Sequence, residues 1–171
     1  MIAVILMELN KTYHTDRLTQ RPRPTLSMFY QDHLTVNSQL TVLNSVQKWF
    51  ETFWLQHDPL VARRDNQLYR LNLALAEGFT NAVRHAHSGL SSETSIDIDV
   101  ALHDDHMEIQ IWDWGQPFDP NALKEPKPGT LQEGGYGWFL LRRLADEVSY
   151  DREGQRNCLR IVQYTPREAL S

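Results

Sequence analysis

The spacing of apolar residues along this chain changes several times, and each change marks an element. After a start without periodicity, "HLTVN" at 33–37 predicts a short strand. Leu40, Leu43, Val46, Trp49, Phe50 and Phe53 then recur at helical intervals, behind Asn37 or Ser38, either of which suits a helix N-cap. Pro59 closes that region. A second helix is predicted over about 65–87, with Leu68, Leu71 or Leu75, Phe79, Ala82, Val83 and Ala86 on its apolar face and Gly89 as its stop.

Beyond Gly89 the period becomes two. "SIDIDVAL" and "HMEIQIWDW", joined by "HDD", predict an antiparallel hairpin with Ile96, Ile98 and Val100 facing one way, its second strand ending at Trp112 or Asp113. The stretch "GQPFDPNALKEPKPGTLQEGG" that follows is dense in Pro and Gly, and a loop of that size in a small domain is usually functional or disordered. "YGWFLLRRLADEV" predicts a third helix offering Phe139, Leu140, Leu144 and Val148 to the core. "VSYDREGQRNCLRIVQY" predicts a closing hairpin that turns near Glu153 and Gly154. Strands and helices cluster instead of alternating strictly, which predicts an α+β two-layer sandwich: a mainly antiparallel sheet with helices on one face.

The length of 171 residues suits one domain with a real core. Residues 1–32, with "RPRPT", read as an extension or arm, 33–165 as the folded domain and 166–171 as a tail. Five Trp, six Tyr and six Phe among 41% hydrophobic residues supply that core. The net charge of −5, with Lys and Arg scattered, argues against nucleic acid, whose phosphates need a concentrated basic patch. A basic protein surface is the more natural complement. Cys158 is the only cysteine, so no intramolecular disulfide forms and a cytoplasmic address is the default. The apolar run from Met1 to Met7 stops at Glu8, short of the roughly 20 residues a membrane span needs, and no membrane association is expected.

Three polar constellations stand out. On the second predicted helix, Glu77, Asn81 and His85 recur every four residues and form a column, either a solvated stripe or a site. As a site, Glu77 is a general base or water-positioning group, and the Asn81 amide oxygen suits a hard cation such as Mg²⁺. The second, "IWDWGQPFDP", puts Asp113 at a strand end and Gly115 where the backbone needs close approach or positive φ. An Asp-x-Gly there is a common turn, yet a partly buried carboxylate also accepts a hydrogen bond from an exocyclic amine such as that of adenine. The third, "EGGYGWFLLRRL", sets Gly134, Gly135 and Gly137 before a helix N-terminus, a flexible joint or a phosphate cradle. It matches neither the Walker pattern nor the dinucleotide fingerprint. His85 and His87, two apart on a helix, face different ways and make a poor zinc pair.

Taken in order, "AEGFTNAVRHAH", "DWGQPFDP" and "GGYGWFLLRRLADEVSY" resemble the N, G1 and G2 boxes of the gyrase, histidine-kinase and MutL superfamily (GHKL), over about residues 33–165. Within it they look most like the bacterial anti-sigma-factor serine/threonine protein kinases of stress and sporulation switches. The resemblance implies a Bergerat-type ATP-binding fold and a cytoplasmic ATP-dependent kinase working with Mg²⁺. It implies Glu77 as catalytic base, Asn81 as the Mg²⁺ ligand, Asp113 on the adenine amine, Gly115 making room for the base, and Gly135 and Gly137 bordering the phosphates. A lid would run from about Phe118 to Glu133, with Lys124 or Lys127 reaching a phosphate. The implied partners are a STAS-type anti-anti-sigma factor, a sigma factor and a second copy of the chain as homodimer. The chain departs from the pattern at Pro117, at Trp138, which either stacks on nucleotide or packs in the core, and at Asn157–Cys158, where many relatives carry Gly-Thr. With no helical hairpin bearing a phosphorylatable His upstream and no domain after residue 165, the chain is expected to act as a catalytic domain that meets another protein, and not as an autonomous sensor histidine kinase. The other class that fits is a non-enzymatic, nucleotide-binding module that sequesters a partner without phosphorylating it.

Overall fold

A computed structural model of the protein describes residues 30–57, 65–120 and 136–165. Strand β1 (Tyr30–Asn37) leads through a 3₁₀ turn (Leu40–Val42) into helix α1 (Leu43–His57). Helix α2 (Asp65–Asn81) continues into a π-helical turn (Ala82–Ala86). Strands β2 (Ser95–Leu102) and β3 (His106–Asp113) follow, then α3 (Tyr136–Leu144) and the hairpin β4 (Glu147–Glu153) and β5 (Arg156–Tyr164). The sheet order is β1-β2-β3-β5-β4, and every pair among the described residues is antiparallel. This is the expected α+β sandwich.

The period-two segments bury one face as predicted. Ile96, Ile98 and Val100 of β2 and Ile109 and Ile111 of β3 join Leu159 and Ile161 of β5 beneath the helices. The helices return Val46, Phe50, Phe53 and Trp54 from α1, and Leu71, Ala74, Leu75 and Phe79 from α2. The opposite face of the sheet is polar, with His33 on Asp99, Arg156 on Asp97 and Arg160 on Glu108. Each buried large apolar side chain stabilises by about 1.5–3 kcal/mol, against about 0–1 kcal/mol for an exposed ion pair, so the helix-side core holds the sheet.

Four local expectations are corrected. The first strand starts at Tyr30, because its pairing with β2 runs on to Leu102. Neither Asn37 nor Ser38 caps α1: Ser38 is buried and its N–H donates to the Thr94 carbonyl at 2.9 Å, tying the strand end to the start of β2. Helix α3 stops at Leu144, since Val148 is needed in β4 opposite Ile161. Its buried residues are Trp138, Leu141 and Leu144, while Leu140 is exposed and Phe139 only half-buried, so the face that meets the core is rotated from the one expected.

What positions the site is the junction between the end of α2 and the end of β3. The π turn closes with the His87 N–H on the Ala82 carbonyl at 2.8 Å, and Gly89, at φ 86°, ends the segment. The turn brings Ala86 so near Gly115 that an added Cβ would stand 2.7 Å from the Ala86 carbonyl oxygen. The backbone N–H of Trp114 donates to His87 Nε2 at 2.9 Å, so that nitrogen must be unprotonated. Burial lowers the pKa of His87 below its usual 6.5, against the weaker opposing pull of the Asp113 charge. The unfolded chain therefore binds the His87 proton at a higher pH than the folded one, and the stability that this histidine contributes is present above pH 6.5 and is lost as pH falls through its folded pKa. Urea midpoints at pH 7.5 and 5.5 should drop for the wild type and drop less for His87→Gln, which starts lower but carries no such proton; equal drops would refute the assignment.

Candidate functional site

A cavity of about 640 Å³ opens between α2, the first turn of α3 and the sheet. That volume lies within the usual range for small-molecule sites, about 300–1,000 Å³. Glu77, Asn81 and His85 line it together, so the column faces the cavity and is not a solvated stripe. A helix places residues four apart on one side, and the apolar side of α2 is held on the sheet by Leu75 and Phe79. Among the described residues neither the Glu77 carboxylate nor the Asn81 amide has a hydrogen-bond partner. Both are only partly buried, so the cavity supplies the solvent or ligand that satisfies them.

Gly137, in the first turn of α3, packs directly on this pair. A Cβ there would collide with the Glu77 carboxylate and stand 3.1 Å from Asn81 Nδ2. Any larger residue would push the acid and the amide out of the cavity. Trp138 beside it is buried and also touches the cavity, so it packs in the core as one of the two expectations had it.

Asp113 lines the cavity from the end of β3 and is only 3% exposed. A buried carboxylate needs donors, and three converge on it. Its Oδ1 accepts from the Gly115 N–H at 2.8 Å and from Asn157 Nδ2 at 2.7 Å, and its Oδ2 accepts from the Tyr150 hydroxyl at 2.9 Å. A carboxylate offers about four acceptor positions, so one is left on Oδ2. Burial, then the Asp113 charge, hold the Tyr150 hydroxyl well above its ordinary ionisation range, which keeps it a donor at neutral pH. Asn157 faces Asp113 across the β3–β5 pairing. Its Nδ2 also reaches the Gly115 carbonyl at 3.1 Å, and its Oδ1 accepts from Arg152 at 2.8 Å. Arg152 donates in turn to the Gly115 carbonyl at 3.1 Å.

Four of the residues singled out in the sequence, Glu77, Asn81, Asp113 and Gly137, thus meet in one cavity. Gly115 stands behind it, where its bare Cα accommodates Ala86. Gly135, Lys124 and Lys127, and most of the expected lid, lie outside the described residues. His85 is exposed on the cavity side while His87 is buried against Trp114, so the two histidines do face different ways. Tyr150, Arg152 and Asn157 were not anticipated as site residues. The signal available was a polar asparagine opening the apolar run "CLRIV", but its meaning depends on a strand register that joins positions 44 residues apart. Cys158, its neighbour, is buried with its thiol pushed up to about 12, so it is no nucleophile at neutral pH.

Residues 36–163 match the family of histidine kinase-like ATPase domains. The serine-protein kinase RsbW of Oceanobacillus iheyensis is 36% identical over 91 residues, covering 48% of this chain and 57% of that protein. The serine-protein kinase RsbW of Staphylococcus epidermidis is 33% identical over 106 residues, covering 57% of this chain and 66% of that protein. The chain therefore spans somewhat more than half the length of the curated relatives it matches. Among solved structures, the RsbU and RsbW domains of a Mycobacterium tuberculosis protein match with a TM-score of 0.57 at 15% identity, over 80% of this chain and 33% of that one. The SiaB–SiaC complex from Pseudomonas aeruginosa matches with a TM-score of 0.55 at 15% identity, over 75% of this chain and 88% of that one. At that identity the likeness speaks for the fold, which agrees with the sheet and helices described above. The family match extends over most of the chain, from within β1 to within β5, and the chain belongs to the histidine kinase-like ATPase domain family.

Proposed function

We propose that this chain is an ATP-dependent serine/threonine protein kinase, acting as an anti-sigma factor in a partner-switching system and phosphorylating a STAS-type anti-anti-sigma factor. The observation that carries the reading is the pairing of Glu77 with Asn81 on the cavity wall, both without a hydrogen-bond partner among the described residues, in the same cavity as Asp113, whose Oδ2 keeps one acceptor position open. A pure binding module has no need of an acid beside an amide on the wall of such a cavity. The names of the relatives, serine-protein kinases, support the phosphoryl transfer, and the neighbour solved as a complex supports a protein partner.

In this reading the remaining acceptor position of Asp113 takes the adenine amine. Ala86, beside the Asp113 loop, is nine residues along the helix from Glu77, at most about 13 Å since the last turn is π-helical and rises less per residue than an α-helix, which leaves length for a sugar and phosphates between the two ends. The helix carrying Gly137 brings its N-terminus to the phosphate end, as Gly135 would from the preceding residues. Asn81 fits a divalent cation because its amide has no partner among the described residues and faces the cavity, and its Oδ1 would be the protein ligand. When bound, Mg²⁺ neutralises charge on the phosphates. Glu77 accepts the proton of the incoming Ser or Thr hydroxyl as its oxygen bonds to the γ-phosphorus and the bond to the β,γ-bridging oxygen breaks, releasing ADP. Transfer of this kind asks a protein mainly for positioning and charge, which these residues supply. A sigma factor is the second partner, the working form is a homodimer, and the compartment is the cytoplasm.

The test is labelled ATP, this protein and a candidate STAS protein, followed by identification of the phosphorylated residue. Phosphate on Ser or Thr is expected; ATP bound with no transfer to any STAS partner would favour the sequestering module. Glu77→Ala should keep ATP binding while losing about 10²–10⁴-fold in transfer rate, and wild-type rates in that variant would remove Glu77 from the chemistry. Asp113→Asn should weaken ATP binding at least tenfold, roughly the worth of one hydrogen bond to a charged group, as read by calorimetry on protein whose melting confirms that it is folded.

A further inference from the structure

We propose that Phe118 is the residue on which the purine ring stacks, an inference that rests on the nucleotide reading above and names how the base is held. A carboxylate that reads the edge of a heterocycle fixes one line of contact and leaves the ring free to pivot about it. A second contact, against the face of the ring, is needed to fix the plane. Phe118 is the half-exposed ring on the cavity wall that touches the Asp113 unit, through Tyr150, whereas Tyr136, the other half-exposed ring on the wall, precedes Gly137 at the Glu77 end. Phe118 lines the same cavity as Asp113 and is 49% exposed, so its ring is accessible to a ligand there.

Its position is set by the groups that hold Asp113. The Phe118 ring meets the Tyr150 ring edge-on, with centroids 6.0 Å apart and planes at 76°. Such a contact engages at most one face of Phe118 and leaves the other available. Tyr150 cannot shift without losing its hydroxyl bond to Asp113 Oδ2. The chain just before Phe118 is pinned as well: Asn157 Nδ2 and Arg152 hold the Gly115 carbonyl, and Pro117 fixes its own φ. The carboxylate that reads the edge and the ring that meets the face are therefore built into one hydrogen-bonded unit. A planar base carrying an exocyclic amine is the ligand that uses both.

Calorimetric titration of MgATP into wild type, Phe118→Ala, Phe118→Leu and Phe118→Trp tests this. Phe118→Ala should weaken binding at least about fivefold, the lower end of what stacking one base on an aromatic ring contributes. Phe118→Trp should keep near-wild-type affinity, and Phe118→Leu should fall with Phe118→Ala, because a leucine restores apolar bulk without a stacking face. Unchanged affinity in Phe118→Ala, or full rescue by leucine, or failure of tryptophan to rescue, would each overturn the proposal. Should Phe118→Ala fail to fold, the leucine and tryptophan variants decide alone. A wild type that binds no MgATP would instead overturn the kinase reading, a different result from wild-type binding that Phe118 does not affect.

Discussion

A buried carboxylate is tolerated only where donors surround it, and Asp113 makes three separate parts of the chain meet to provide them. The loop after β3 folds back to give the Gly115 N–H, β4 gives the Tyr150 hydroxyl, and β5 gives the Asn157 amide. Leaving such a charge unpaired would cost several kcal/mol, more than any single exposed ion pair on the far face of the sheet returns. The register of β5 against β3, the course of the loop from Trp114 to Phe118 and the packing of the closing hairpin are therefore parts of one requirement. Because the loop must also pass the end of α2, the same requirement explains why position 115 carries no side chain.

The two ends of the cavity are built on opposite principles. Around Asp113 nearly every polar group has a partner within the protein, which makes that end rigid. Around Glu77 and Asn81 the described residues offer none, and the neighbouring Gly137 keeps the space in front of them open. Local rules of satisfaction are relaxed most often where a protein meets a ligand. A rigid end suited to recognition and an open end suited to chemistry are joined by α2, whose apolar side is fixed on the sheet by Phe79 and Leu75. The helix thus converts core packing into a fixed distance between the two ends.

Much of this was legible in the chain. The alternation in "SIDIDVAL" and "HMEIQIWD" needed only its period to give both strands and their buried face, and the four-residue spacing of Glu77, Asn81 and His85 gave their common direction. Where local pattern and structure differ, the cause is shared. The composition of "YGWFLLRRLADEV" is helical through Val148, and its apolar residues are dense enough to allow more than one buried face. The sheet decided otherwise, taking Val148 as a strand residue against Ile161 and drawing Trp138 and Leu141 inward. The same holds for Ser38, whose capping propensity yielded to a backbone bond with Thr94.

The sequence by itself determined whatever depends on neighbours a few residues apart: the periods of the helices and strands, the shared face of the polar column though not what that face meets, and the glycines and carboxylate at element ends that mark candidate sites. Those features follow from backbone geometry repeating along the chain. Only the tertiary structure decided that Tyr150, Arg152 and Asn157 serve Asp113, that Gly115 is bare because of Ala86, and that His87 acts as an acceptor for Trp114. These depend on pairings between positions tens of residues apart, where the energy of burying a charge, and not local propensity, selects the partner.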